Sequence, residues 1–213
     1  MTFSIVARDP QTGAFGVATA TAGPMVGALV PHTRQGLGAV ATQAMTNPYL
    51  AFDAFSALGD HGARAALEMA VAKDDRPDLR QVIIVDANGV ADGWTGSHCM
   101  GFAGHLVEKG VAVAGNLLTG AAVLSEMMAS YHLHLGRSSF AAALLEALRA
   151  GAAAGGDKRG LGSAALRVQD AQEFPEFDLR VDLSDNPIKG LDELMGLATS
   201  GGYHEFFSAL PRR

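Results

Sequence analysis

The sequence predicts an α+β fold, a four-layer αββα sandwich in which two mostly antiparallel sheets lie face to face between outer helix layers. Three observations carry this. Apolar and polar residues alternate with a period of two in runs that open, punctuate and nearly close the chain, as half-buried strands require. Segments of helical spacing come in pairs between those runs, which disfavours a parallel sheet with one crossover helix per strand. Strands such as GLGAVATQA are rich in Ala, Gly and Val throughout, as in a sheet covered on both faces.

The alternation from Thr2 through Arg8, the turn residues Asp9, Pro10, Thr12 and Gly13, and a second alternating run from Ala14 to Thr21 read as a β-hairpin with Thr2 at its head. Gly27 to Thr33 and Leu37 to Ala44 read as two more strands around Arg34, Gln35 and Gly36. Helical spacing follows over Tyr49–Leu58 and Ala63–Lys73, the first helix started by TNP at 46 to 48. Strands return at RQVIIVD and VADGWT, with a turn at Ala87-Asn88-Gly89. The loop GSHCMGFAG leads to the strand GVAVAGN. Gly120–Leu135 and SSFAAALLEALRAG are apolar helices, the second with Ser138 and Ser139 as N-cap candidates. GGDKRG breaks the pattern, GSAALRVQD and FDLRVDL give two strands, and Pro187 starts a final helix in IKGLDELMGL.

At 213 residues and 48% hydrophobic content the chain suits one domain, residues 1–213. A formal charge of -6, with its 16 Lys and Arg scattered, argues against nucleic acid or an anionic membrane as partner. The stretch from Ala14 to Thr33 is uncharged, yet its Gly and Pro residues and its alternation read as strands and a loop, not a membrane span. The start of the chain lacks the basic and apolar regions of a signal peptide, and Cys99 is the single cysteine, so the expected compartment is the cytoplasm. Apolar helices suggest a homodimer.

Thr2 is the first candidate for chemistry. Removal of Met1 would give one residue both a hydroxyl and an α-amine of pKa near 8, a nucleophile with its own base. An amine blocked by Met1 could not serve, which leaves a ligand-binding protein as the alternative. The competing motifs are weaker. GLGAVA continues as a strand instead of opening a helix, so it is not a dinucleotide loop. His132 and His134 stand two apart on a helix and diverge, so no metal is expected. Cys99, with His98 and Asp92 near, offers a thiol nucleophile as a third reading.

TFSIVARDPQTGAFGVA, GLGAVATQAMTNP, TGSHCMGFAGH, GNLLTG and AGGDKRGLGSAAL, in this order, resemble the family known as domain of unknown function 1028 along nearly the whole chain. That family is placed among the N-terminal nucleophile (Ntn) hydrolases. The resemblance implies the αββα sandwich with the catalytic residue opening the first strand, hence Thr2. Leu161 and Gly162 stand where relatives tend to have Lys-Gln, and ATATAGP replaces a more usual strand ending, so the pocket wall is expected to differ.

An oxyanion hole and a substrate anchor would complete such a site. Asn116, ending the strand in GNLL, is the expected oxyanion donor. Gly155 and Gly156 would offer backbone N–H groups to an anion, Asp157 would orient the Thr2 amine, and Arg159 would grip a substrate carboxylate. Gln43, Asn47, Thr95 and His105 are expected along the pocket wall. The reaction expected is hydrolysis of a C–N bond, amide, carbamoyl or imine, in a small anionic metabolite, with no metal or organic cofactor.

Overall fold

The hairpin forms as the alternation predicts. Strand β1 (Thr2–Arg8) pairs antiparallel with β2 (Phe15–Thr21), Thr2 opposite Thr21. Asp9 shapes the turn, its carboxylate accepting from the Gln11 N–H at 2.9 Å and the Thr12 hydroxyl at 2.7 Å. This is a computed structural model that describes residues 2–213, so the expected removal of Met1 lies outside the described residues.

After a short 3-10 turn at Val26–Ala28 come β3 (Pro31–Arg34), β4 (Gly38–Ala44), α1 (Tyr49–Leu58), α2 (Ala63–Ala72), β5 (Arg80–Asp86) and β6 (Ala91–Thr95). Then follow β7 (Phe102–Glu108), β8 (Val111–Leu118), α3 (Ala122–His134), α4 (Phe140–Ala153), β9 (Ser163–Gln169), β10 (Phe177–Val181), α5 (Pro187–Ala198) and α6 (Gly201–Ser208). The strands form two antiparallel sheets, a six-stranded one in the order β10-β9-β2-β1-β8-β7 and a four-stranded one in the order β3-β4-β5-β6. Hence β1, first in sequence, is an interior strand with β2 on one side and β8 on the other.

Parity along β1 divides its side chains between two cores. Phe3, Ile5 and Ala7 point one way into a core with Leu124, Met127, Leu144 and Leu148 of α3 and α4. Val6 points the other way and meets Ala39 and Ala41 of β4, Ile83 and Val85 of β5, and Ala112 of β8 between the sheets. On the far side of the four-stranded sheet, Val40, Val82 and Ile84 pack against Leu50, Phe55 and Leu67 of α1 and α2. At roughly 25 cal/mol per Å² of buried apolar surface, these three cores are the main source of stability.

Three elements differ from the sequence reading. The expected strand over 27–33 starts only at Pro31, because Met25 takes a left-handed φ of 62° and the Val26 N–H donates to Ser163 Oγ at 3.1 Å, which folds 26–28 into the 3-10 turn. Part of the loop expected over 96–104 is β7, an edge strand whose mostly exposed or half-buried residues lack apolar alternation. Helix α6 follows the last expected helix and buries no residue. Ser139, rather than Ser138, caps α4, accepting from the Ala142 N–H. No described helix is long and apolar enough to cross a membrane.

Candidate functional site

The register of the interior strand brings the polar candidates together. Thr2 pairs with Asn116 on β8 and with Thr21 on β2, and Gln43 pairs with Gln81 between β4 and β5. Each of these side chains turns into the space between the sheets, at the end where β1 begins. All are buried, Thr2 being 6% exposed and Asn116 3%.

Gln81 is the centre of the resulting network. Its side-chain oxygen accepts from Gln43 Nε2 at 2.8 Å and from Asn116 Nδ2 at 2.9 Å. Its own amide faces Thr95 Oγ1 at 2.9 Å and the carbonyls of Gly115 and Gly104 at 2.9 and 3.0 Å. Gln43 also donates to the Thr2 carbonyl at 3.3 Å and accepts from the Ser4 hydroxyl at 2.6 Å, which in turn lies 2.8 Å from the Thr19 hydroxyl. Thr2 Oγ1 meets Thr21 Oγ1 at 3.2 Å. Buried amides and hydroxyls are tolerated when partnered in this way, and the network fixes which way each amide faces.

The network ends at His105 on β7, whose Nδ1 lies 2.9 Å from Thr95 Oγ1. The direction of this contact follows the tautomer of the ring: with Nδ1 unprotonated the Thr95 hydroxyl donates to it, and with Nδ1–H the hydroxyl accepts. Burial lowers the His105 pKa, against a smaller opposing pull from Asp92, which favours the neutral form. Room for the ring comes from Gly93, where a Cβ would stand 2.7 Å from His105 Cδ2.

Two of the three amide-bearing strands, β4 and β8, end in strain. Ala44, next to Gln43, has φ 70°, and Leu117, next to Asn116, has φ 51°. Non-glycine residues in this region cost roughly 1–2 kcal/mol each, and such residues concentrate at functional sites. Leu117 is held there by its N–H bond to Met100 O at 2.8 Å, beside a register shift between β7 and β8 at Phe102 and Gly104.

Asp157 lies across the head of β1. Its backbone bridges to Leu118 at the end of β8, and its carboxylate accepts from the Ala22 N–H, just past β2, at 3.0 Å. The same carboxylate accepts from the Arg159 N–H at 2.8 Å and from the Arg159 guanidinium at 3.3 Å. Asp157 is fully buried there while Arg159 remains 54% exposed, so its cation reaches solvent at the rim. Gly162 sits beside this group: its N–H donates to Thr21 O at 2.8 Å, and a Cβ would stand 2.3 Å from Ala22 O.

Other candidates lie apart from the network. The Gly155 and Gly156 N–H groups donate to Ala152 O and Gly151 O and close the end of α4, so they are committed there and not to an anion. Their φ angles of 111° and 45° lie where glycine is favoured. The Asn47 side chain donates to Asp74 at 2.6 Å and caps the Tyr49 N–H, in support of the turn after Gln43. The Cys99 thiol donates to Arg80 O, and burial pushes its pKa up, away from a reactive thiolate. Its expected helpers are engaged elsewhere, His98 with Asp78 and Asp92 with Arg64.

Gln81, Ser4 and Thr19 escaped the sequence reading. The signal for Gln81 was present: one polar residue heads the otherwise apolar run QVIIV, where a doubly covered strand needs none.

A family profile described as "Family of unknown function (DUF1028)" matches residues 2–191. A crystal structure of a Silicibacter pomeroyi protein assigned to the same family superposes with a TM-score of 0.92 at 32% identity, over 99% of this chain and 92% of that one. The Anbu (ancestral beta-subunit) structure from Yersinia bercovieri aligns with a TM-score of 0.41 at 13% identity, over 99% of both chains. No curated protein matches.

Proposed function

The chain belongs to the DUF1028 family, and on that premise we propose that it is an Ntn-type hydrolase on a four-layer αββα sandwich. Its reaction is cleavage of a C–N bond, amide, carbamoyl or imine-type, in a small anionic metabolite, with Thr2 as nucleophile after removal of Met1. The observation that carries this reading is the alignment of Thr2, at the head of an interior strand, with Asn116 beside it in register and Asp157 across the strand end.

For an amide, the Thr2 α-amine takes the hydroxyl proton as Oγ1 attacks the carbonyl carbon. Negative charge develops on the carbonyl oxygen, and the Asn116 amide, held by Gln81 through one N–H, has its second N–H to donate to it. The resulting ammonium passes its proton to the leaving nitrogen as the C–N bond breaks. Water then adds to the Thr2 ester, and its cleavage restores the hydroxyl. Arg159 at the rim supplies a cation for the substrate's carboxylate.

The test is the intact mass of protein made at low expression, before and after a β-lactone electrophile, with the modified peptide mapped. The expected result is loss of Met1 and a single adduct on Thr2, absent from Thr2→Ala, while that variant keeps stability within about 1 kcal/mol because it loses one hydroxyl bond. Protein that begins at Thr2 and forms no adduct would overturn the mechanism. Retained Met1 with no adduct would turn the reading to a binding protein on the same fold.

A further inference from the structure

A second site lies on the opposite edge of the sheet pair. A cavity of about 340 Å³ opens between β3, β9, β10 and α1. Arg167 on its wall stands level with Val17 and Val6, four residues from Thr2 along the strands, or roughly 13 Å. The cavity is therefore distinct from the Thr2 network. Its volume is more than twice the ~150 Å³ that accommodates a benzene ring.

The walls combine two chemistries. Arg34, Arg167 and Arg180 line it with one acid, Asp178, and Phe52 and Phe55 form an aromatic side. Arg167 donates to Thr33 Oγ1 at 2.9 Å and pairs with Asp178; Arg180 pairs with Asp182 at 2.9 Å. These bonds fix two guanidinium groups without cancelling the third. Among the described residues Arg34 has no acidic partner; its Cζ lies 5.4 Å from the centroid of the Phe55 ring. A positive pocket in a chain of charge -6 is a local choice of residues, not a reflection of composition.

The backbone also makes room for the arrangement. At Gly27 a Cβ would stand 2.9 Å from both Ala165 Cβ and Arg180 Cγ, so glycine is what lets the Arg180 stem cross the 3-10 turn. Phe52 is half exposed, and its ring meets His32 edge-on at 5.5 Å. An exposed phenyl beside an unpaired guanidinium recognises an apolar ring and an anionic group together. Guanidinium forks match carboxylates and phosphates, and each such bond gains in a partly enclosed site.

We propose that this cavity binds a small aromatic anion, a carboxylate or phosphate monoester carried on a ring, with Arg34 and Arg167 on the anionic group and Phe52 against the ring. The site is independent of the Thr2 chemistry and adds a second small-molecule function to the chain.

The experiment is calorimetric titration of the full chain with phenyl phosphate and with benzoate, alongside inorganic phosphate and phenol. The expected result is saturable binding of at least one aromatic anion at low salt, and the tighter of the two identifies the anionic group. Arg34→Ala removes a cation that leaves no buried acid behind, so it should keep the wild-type melting temperature and weaken binding about tenfold. Arg34→Lys should recover only part of the loss, because it restores charge without the fork. Phe52→Ala should weaken the aromatic anion while leaving inorganic phosphate unchanged. The proposal is overturned by absence of saturation up to about 10 mM, by unchanged affinity in Arg34→Ala, or by inorganic phosphate binding as tightly as phenyl phosphate.

Discussion

Between the two sheets, one end of the space is filled by Val6, Ala112, Ala39, Ile83 and Val85 and the other by Thr2, Ser4, Asn116, Gln43 and Gln81, and the same four strands supply both. Each strand changes character at about the same level: Ser4 gives way to Val6 on β1, Asn116 to Ala114 on β8, Gln43 to Ala41 on β4 and Gln81 to Ile83 on β5. The apolar end shows that small aliphatic side chains are enough to hold these sheets together. Packing alone therefore gives no reason for the amides, each of which loses water on burial and must find every partner inside the protein. Two strained residues, Ala44 and Leu117, stand at that end and not at the other.

The largest effect expected from this contrast is at its centre. Gln81→Leu keeps the volume but deprives the amides of Gln43 and Asn116 of their shared acceptor, so unfolding in urea should show a loss of about 3–5 kcal/mol. Labelling of Thr2 by the β-lactone should fall with it. At the apolar end, Ile83→Val deletes one methylene from the same strand two residues on and should cost only about 1 kcal/mol, with Thr2 labelling unchanged. A benign Gln81→Leu, or an Ile83→Val that abolishes labelling, would break the division of labour.

Acid should act on the polar end through His105. Burial holds its pKa below the usual 6.5, so the folded protein resists a proton that the unfolded chain accepts. The contribution is fully present above pH 6.5 and is lost as pH falls toward the folded value. His32, lowered mainly by burial and also by Arg167, adds to the same trend. Between pH 6.5 and 5.5 the unfolding free energy of His105→Gln should therefore drop less than that of the wild type, by up to about 1 kcal/mol. Parallel curves would place His105 outside the coupled network.

The smallest effect concerns a polar group that was not given a partner. Tyr131, buried under the six-stranded sheet, has a hydroxyl with no hydrogen-bond partner among the described residues, whereas the side-chain polar atoms of Thr2, Gln43, Gln81 and Asn116 do not share that defect. Tyr131→Phe should be neutral or stabilise the protein by about 1 kcal/mol in the same urea assay.

The part of this arrangement that was legible in sequence is the part governed by period and parity. TFSIVAR and GAVATQA announce their strands and which residues share a face, and the paired helices announce the antiparallel sheets. Thr2 is singled out by its place at the head of the first hairpin, Asn116 by its place at a strand end, and Gln43 and Thr95 as residues of the expected pocket wall. Gln81 was not, because the eye takes QVIIV as one apolar run, and only the pairing of β5 with β4 reveals that its first residue faces Gln43. Nor do Leu117 and Ala44 advertise a left-handed backbone, since neither residue type favours it. The glycines at 155 and 156 were read as anion donors, although a helix end supplies the same residues for its own closure. The facing of Gln81 and the backbone of Leu117 are set by partners distant in sequence, Gln43 on β4 and Met100 before β7, which leave no local pattern.

The interior position of β1 also governs the order in which the nascent chain acquires its bonds. The first hairpin is complete at Thr21, yet its outer neighbours β8 and β9 begin only at Val111 and Ser163. At typical translation rates of about 5–20 residues per second, roughly 5–20 s pass between synthesis of the hairpin and of the strand that closes over its first residue. For that interval both edges of the hairpin offer free backbone groups to chaperones or to a neighbouring nascent chain. The two strands most deeply enclosed in the finished sheet, β1 and β2, are thus the ones that wait longest in the open, β2 longest of all because its outer partner β9 is made last.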